Sequence, residues 1–300
     1  MLIIGTRGSA LALTQSNWVR DHLCRLSPNA EIKVEVIKTS GDRDKTSSLR
    51  TPATVGVFVK ELEHALLEGK IDIAVHSMKD LPTQIPKDLK IAAVPEREDT
   101  RDAVLTSQAK TIGDLREGSR IGTGSLRRQA QLLALRPDLR IMDIRGNLDT
   151  RMRKLKDGDF DAIVLACAGL IRLGLEDQIS FRLNHTQMLP APGQGALAIE
   201  IRRSDSQTES IVRALNHVPT AVAVSAERDF LEKMGGGCNV PVAVYARIEN
   251  DMLQLDALVA SPDGLNMVRD SEREKMENWN ESVARVAQRI LSRGGRALLS

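Results

Sequence analysis

Apolar positions along this 300-residue chain switch between two spacings. Short apolar or alternating runs of strand length give way to segments whose apolar residues return every three or four positions, the period of one helix face. Met1-Leu2-Ile3-Ile4-Gly5 reads as a strand start and leads through Thr6-Arg7-Gly8-Ser9 into a helix from Ala10 to Leu26. Ile32, Val34 and Val36 alternate on a second strand, and a helix spans Phe58 to Leu67. About a hundred residues on, Ile121-Gly122-Thr123-Gly124-Ser125 repeats the first junction. Ser125 caps a helix through Leu126, Leu132, Leu133 and Leu135 that stops at Pro137. Glu68-Gly69-Lys70-Ile71-Asp72-Ile73-Ala74-Val75 likewise resembles Asp157-Gly158-Asp159-Phe160-Asp161-Ala162-Ile163-Val164, each a helix ending at glycine before a mostly apolar strand. This alternation predicts an α/β fold with parallel or mixed sheets covered by helices, arranged as two similar lobes facing each other across a cleft.

The polar stretch from Thr39 to Thr54 has no apolar anchors, and a loop of that length predicts a mobile lid. Lys90-Ile91-Ala92-Ala93-Val94-Pro95 is expected to cross to the second lobe, and Leu189-Pro190-Ala191-Pro192-Gly193-Gln194-Gly195 to introduce the returning strand Ala196–Ile201. Two crossings make a hinge. After residue 216 the grammar changes to a helix from Thr220 to Met234, then strands near Val242–Ile248, Leu253–Val259 and Asn266–Arg269, with a closing helix from Glu281 to Leu291. Asn250-Asp251 and Pro262-Asp263-Gly264 supply the turns. The expected domains are 1–96 with 195–215, 97–194, and a small α+β domain over 216–300 with a three-stranded antiparallel sheet.

Composition narrows the function. Lys plus Arg number 42 against 40 Asp plus Glu, so no global basic field draws a polyanion, and 2% aromatic residues argue against base stacking. No nucleic-acid partner is expected. No apolar run reaches the roughly 20 residues of a membrane span, and the amino terminus lacks signal-peptide regions, so a cytoplasmic location is expected. Cys24, Cys167 and Cys238 are widely spaced, which suggests neither a disulfide framework nor a metal site. Cys24 and Cys167 read as buried small hydrophobes. Cys238 follows Gly235-Gly236-Gly237, where a thiol is approachable.

The candidate chemistry is local anion binding. A helix N-terminus carries partial positive charge, so Arg127 and Arg128 in the first turn after Ser125 are disfavoured unless an anion meets them. Amides, the hydroxyls of Thr123 and Ser125, and two guanidinium forks converge there on a site for carboxylate or phosphate. Arg7 and Ser9 hold the equivalent junction of the first lobe, Arg145 ends the strand Ile141–Ile144 just before Gly146, Arg151 falls on the next helix, and Arg172 lies beyond Ala168-Gly169-Leu170. Such clustering at strand ends suits a polycarboxylate ligand. Val75-His76-Ser77-Met78-Lys79-Asp80-Leu81-Pro82 places Ser77, Lys79 and Asp80 where a buried strand emerges. Asp80 there is either a structural ion pair or a group that pairs with a cationic intermediate or hands a proton to a leaving amine. His76 is expected to pack and hydrogen-bond near the strand end, outside the chemistry.

Gly5-Thr6-Arg7-Gly8-Ser9-Ala10-Leu11-Ala12, the Ala74–Pro82 segment, Gly122-Thr123-Gly124-Ser125-Leu126-Arg127-Arg128-Gln129, Arg145-Gly146-Asn147, Leu189–Ala196 and Gly236-Gly237-Cys238 closely resemble the porphobilinogen deaminase, or hydroxymethylbilane synthase, family over nearly the whole chain. The resemblance implies two periplasmic-binding-protein-like lobes and a third domain that carries a dipyrromethane cofactor, joined by a thioether to Cys238. It implies a transferase of tetrapyrrole (haem) biosynthesis that adds four porphobilinogen units with loss of ammonia and releases hydroxymethylbilane by hydrolysis. Asp80 matches the family's catalytic carboxylate, and a monomer is the family expectation. Each pyrrole carries an acetate and a propionate, so Arg7, Arg127, Arg128, Arg145, Arg151 and Arg172 would supply compensating charge. Ser9, Phe58, Ser77, Lys79, Thr123, Ser125, Gly146 and Gln194 would complete the lining. The chain departs from the family at Ala53-Thr54-Val55-Gly56-Val57-Phe58, where Val55 replaces a customary lysine and Arg43, Lys45 or Arg50 are the substitutes at hand. A non-catalytic two-lobed binder of a small dicarboxylate is the rival reading, and a transferase in which Cys238 turns over each cycle is a second.

Overall fold

Strand β1 (Leu2–Thr6) is followed by Arg7, and helix α1 (Ala10–Leu26) starts where the Ser9 hydroxyl accepts from the Ala12 amide at 3.3 Å. In this computed structural model residues 1–28, 30–37, 57–235 and 240–299 are described, with Val57 and Phe58 as backbone only. Strand β2 (Ile32–Val36), helix α2 (Val57–Leu67), strand β3 (Ile73–Ser77), a 3-10 turn over Met78–Asp80 and strand β4 (Leu89–Ala93) follow. Next come β5 (Asp102–Leu105), β6 (Arg120–Gly122), α3 (Leu126–Leu135), β7 (Arg140–Met142), α4 (Leu148–Lys156), β8 (Ala162–Ala166), α5 (Cys167–Arg172) and β9 (Phe181–Leu183). The chain ends with β10 (Leu197–Arg202), α6 (Ser206–Val212), α7 (Val218–Lys233), β11 (Val242–Glu249), β12 (Met252–Ala260), β13 (Met267–Lys275) and α8 (Trp279–Ile290), apart from short turns of helix.

The fold class is the one the hydrophobic pattern predicts: α/β with two mixed sheets, and a three-stranded antiparallel sheet near the C-terminus. The first sheet has the order β2-β1-β3-β10-β4, the second β7-β6-β8-β5-β9. In each, three parallel strands are followed by one antiparallel to its neighbours, β10 in the first and β5 in the second. The internal resemblance therefore has a structural meaning, because β1 and β6 hold the same place, as do β3 and β8. Each sheet buries its apolar faces, with Ile4, Ile73 and Ile199 at the centre of one core and Ile121, Val164 and Leu132 in another. Each such fully buried side chain contributes about 1.5–3 kcal/mol of transfer free energy.

The chain divides into two compact units, Met1–Glu98 with Gly195–Val222, and Asp99–Gln194 with Ala223–Ser300. The C-terminal sheet, order β11-β12-β13, groups with the second unit. Ala243, Leu258 and Ala260 share a core with Ala130 of α3 and Leu189. At the β12–β13 turn Gly264 has φ +73° and lies so close to α3 that a Cβ would stand 2.4 Å from the Ala130 carbonyl oxygen. Gln129 Nε2 donates to the Pro262 carbonyl beside it at 3.1 Å.

Strand β13 corrects the expected Asn266–Arg269 span, since it runs to Lys275. Its half-buried positions after Val268 are the acids Asp270, Glu272 and Glu274. They are covered by arginines of α8: Arg289 meets Asp270 at 2.6 Å and Glu272 at 2.7 Å, and Arg285 meets Glu274 at 2.9 Å. No helix among the described residues is long and apolar enough to cross a membrane.

Candidate active site

In the first unit, parallel β1 and β3 deliver their carboxyl ends to one edge of the sheet, where open α/β sheets commonly bind ligands. Arg7 follows β1, half-buried, with Ser9 capping α1 two residues on. Ser77 closes β3 and exchanges hydrogen bonds with Gln15 of α1, receiving from Nε2 at 3.0 Å and donating to Oε1 at 3.3 Å. Gln15 is a residue that sequence reasoning missed. Its signal was an amide on the inward face of the helix, beside Ser16, Val19 and Leu23. Met78 turns inward, 2% exposed, and its amide donates to the Ala196 carbonyl of the neighbouring segment at 3.0 Å. The Leu81 amide closes the turn on the Met78 carbonyl at 3.2 Å, and Lys79 and Asp80 project from it exposed. Phe58 lies on α2, its side chain outside the described residues.

In the second unit the Ser125 hydroxyl caps α3 by accepting from the Arg128 amide at 3.5 Å, and the Thr123 hydroxyl accepts from the Ser125 amide at 3.2 Å. Arg127 and Arg128 already meet one anion within the protein itself. Both are buried, and the anion that meets them is Asp102, the fully buried first residue of β5. Arg127 Nη1 donates to Asp102 Oδ2 at 2.7 Å; Arg128 donates to Oδ1 through Nε at 3.0 Å and Nη2 at 2.7 Å. Arg127 also reaches the Leu189 carbonyl at 2.8 Å, and Arg128 the Val164 carbonyl of β8 at 3.0 Å. Gln194 joins them, its Nε2 donating to Asp102 Oδ1 at 3.1 Å and to the Thr100 carbonyl at 2.7 Å. Burial disfavours the charged form of Asp102, but the two guanidinium groups outweigh it and hold its carboxyl far below the usual carboxylate range. Burial pulls the Arg127 guanidinium down, with Asp102 opposing.

Two cations now share one carboxylate, which leaves this buried cluster one positive charge in surplus. Arg127 Nε is buried without a hydrogen-bond partner among the described residues. The surplus charge therefore sits at a helix N-terminus that already carries partial positive charge.

The other arginines lie at neighbouring ends of the same sheet. Thr123 donates its amide to the Met142 carbonyl of β7 at 2.9 Å, which sets the α3 entry beside the turn after β7. Arg145 in that turn pairs with Asp143 at 3.0 Å. Gly146 has φ +110° and a Cβ there would meet Thr150 Cγ2 at 2.6 Å, so only glycine fits. Its carbonyl accepts from Arg151 Nε at 2.9 Å. Arg172 ends α5, half-buried, at the exit of β8. Thr123, Ser125, Arg127, Arg128, Arg145, Gly146, Arg151 and Gln194 thus belong to one connected region. Cys167 is buried and its thiol is pushed up to about 12, chiefly by desolvation, so it is a packing residue. Cys238, the Thr39–Thr54 stretch and Val55 lie outside the described residues.

Fold and site together define a protein of two mixed α/β units with fixed cations at strand ends and an added antiparallel sheet. Comparison with known proteins gives the family. Residues 2–210 match the family model described as "Porphobilinogen deaminase, dipyromethane cofactor binding domain", and residues 221–292 match "Porphobilinogen deaminase, C-terminal domain". The porphobilinogen deaminase of Thermus thermophilus is 46% identical over 301 residues, covering 100% of this chain and 98% of the relative. That of Brevibacillus brevis is 48% identical over 269 residues, covering 89% and 87%. A periplasmic substrate-binding protein of an ABC transporter from Coxiella burnetii superposes with a TM-score of 0.46 at 14% identity, over 76% of this chain and 97% of that one. The chain belongs to the porphobilinogen deaminase family.

Proposed function

We infer that this chain is a transferase that condenses four porphobilinogen molecules head to tail, with loss of ammonia, and releases linear hydroxymethylbilane by hydrolysis. The observation that carries the reading is the pair of consecutive family matches over residues 2–210 and 221–292. The buried guanidinium cluster supplies the physics that this chemistry requires. Every added pyrrole brings two carboxylates, and preorganised cations hold accumulating negative charge without reorganising at each addition.

Cys238 is the residue assigned to the thioether, with a dipyrromethane as the group attached. When bound, that group supplies the primer pyrrole onto which units are added. Arg127, Arg128, Arg145, Arg151 and Arg172, with Ser125 and Thr123, would hold its carboxylates and those of the growing chain. Arg7, Ser9, Phe58, Ser77, Lys79 and Gln194 complete the assigned binding set. Asp80 is the assigned catalytic carboxylate. Exposed at the end of a rigid strand, it can give a proton to the departing amine and then face the cationic pyrrole nitrogen as an anion. The enzyme in this reading is a cytoplasmic monomer acting on a free small molecule, without nucleic acid or membrane.

Intact-mass measurement of the purified protein tests the assignment. A stable adduct of dipyrrole mass that is absent from Cys238→Ser is expected, together with conversion of porphobilinogen to hydroxymethylbilane by the wild type. An unmodified wild-type protein that binds carboxylates without turnover would refute it.

A further inference from the structure

We propose that the buried pair His76–Glu200 is a positioning device for Asp80, setting the exit of β3 from the face opposite Ser77; this rests on the assignment of Asp80 as the catalytic carboxylate. His76 stands directly before Ser77, and side chains on a strand alternate between faces. Toward α1, Ser77 is held by Gln15 through the bonds at 3.0 and 3.3 Å. On the other face His76 Nε2 meets Glu200 Oε2 at 2.9 Å, with side-chain exposures of 4% and 0%. Glu200 belongs to β10, the strand whose residues Ala198 and Leu197 lie opposite His76 and Ser77 in antiparallel register. β10 also continues from Ala196, whose carbonyl receives the Met78 amide. Consecutive residues are therefore clamped from both faces and then by the backbone, and the turn that presents Asp80 begins at once.

A surface pair would add little here, but this one lies in the interior. Buried polar pairs hold their geometry tightly because either partner alone is costly to leave unmatched. Glu200 Oε1 has no hydrogen-bond partner among the described residues, so His76 is the polar contact that orients the carboxylate. Glu63 of α2 is buried nearby, and its carboxyl is raised, first by burial and then by Glu200. An apolar pair of similar size would fill this space at less risk, so what the polar pair adds is a fixed angle. Misplacing a catalytic group by about 1 Å can cost on the order of 100-fold in rate.

The test uses the cofactor-loaded enzyme and the double substitution His76→Phe/Glu200→Leu, which removes both polar partners and leaves no charge stranded. Glu200→Gln serves as the conservative variant, since its amide still bonds the imidazole. For the double variant we expect a melting temperature near that of the wild type, kcat lower by about 10- to 100-fold with KM changed less than about twofold, and faster deuterium exchange at the Met78 and Leu81 amides. Glu200→Gln should recover most of both the rate and the protection. If the double variant folds with wild-type kcat and wild-type exchange, the proposal is wrong. If it fails to fold, Glu200→Gln decides: wild-type exchange with a full loss of rate would also overturn the proposal. Asp80→Asn, assayed alongside, separates the two assignments, because wild-type turnover there removes the role of Asp80 itself and leaves the exchange result standing on its own.

Discussion

Replacing Asp102 by asparagine is the sharpest perturbation of the second unit, because it keeps the shape and removes the one anion between two guanidinium groups. The carboxylate is fully buried and receives three guanidinium hydrogen bonds and one from Gln194. Asparagine leaves two buried cations without a counter-ion and turns an amide hydrogen pair toward donors. Breaking a buried ion pair from one side costs about 3–5 kcal/mol. For a unit of this size a change of 1 kcal/mol moves the midpoint by about 2–4 °C, so the melting temperature should fall by roughly 6–20 °C. The assay is calorimetric melting at pH 7 and again in steps toward pH 3. Because the Asp102 carboxyl is depressed in the folded state, its contribution is complete above the ordinary value of 3.8 and is lost as pH falls below it toward the native value. The gap between wild type and variant should therefore be constant above about pH 5 and shrink in acid. A variant that melts within about 2 °C of the wild type at pH 7 would refute the claim that Asp102 is the structural counter-ion of both arginines.

Arg127→Lys keeps the charge but loses the fork that joins Asp102 to the Leu189 carbonyl; dipyrrole loading measured by mass, or turnover of the loaded fraction, should drop by at least about tenfold. Gly146→Ala forces a Cβ against Thr150 at positive φ and should cost about 1–3 kcal/mol in chemical denaturation while loosening the turn that carries Arg145. Glu63→Gln should raise the melting temperature of the first unit at pH 8. The wild-type carboxyl is raised by burial, so ionising it opposes folding at high pH, and the difference should close as pH falls from the raised native value to the ordinary value of 4.5.

Much of this architecture was legible because local chemistry and global fold agree. Ser9 and Ser125 cap the helices that their positions predicted. The glycine-ended helices before β3 and β8 occupy equivalent places in two sheets of the same plan. What stayed hidden were partners brought together by topology. Asp102 lies 25 and 26 residues before the arginines it serves, and Glu200 lies 124 residues from His76. Neither pairing has a sequence period. A lone acid opening the apolar run Asp102-Ala103-Val104-Leu105, and another inside Ala198-Ile199-Glu200-Ile201, were the available signals. An ionisable group in a strand buried on both faces must find a counter-charge. Strand β13 was cut short for the converse reason, since its inward acids find arginines only once α8 has packed.

The seat of the β12–β13 turn on α3, made by Gly264 and Gln129, has a consequence for how the molecule comes apart. An antiparallel sheet that shares apolar contacts with the arginine helix cannot detach as a free module, so the last stretch of chain and the β5–β9 sheet form a single cooperative block. Heating should release two calorimetric events instead of three, and limited proteolysis should release no separately folded C-terminal fragment.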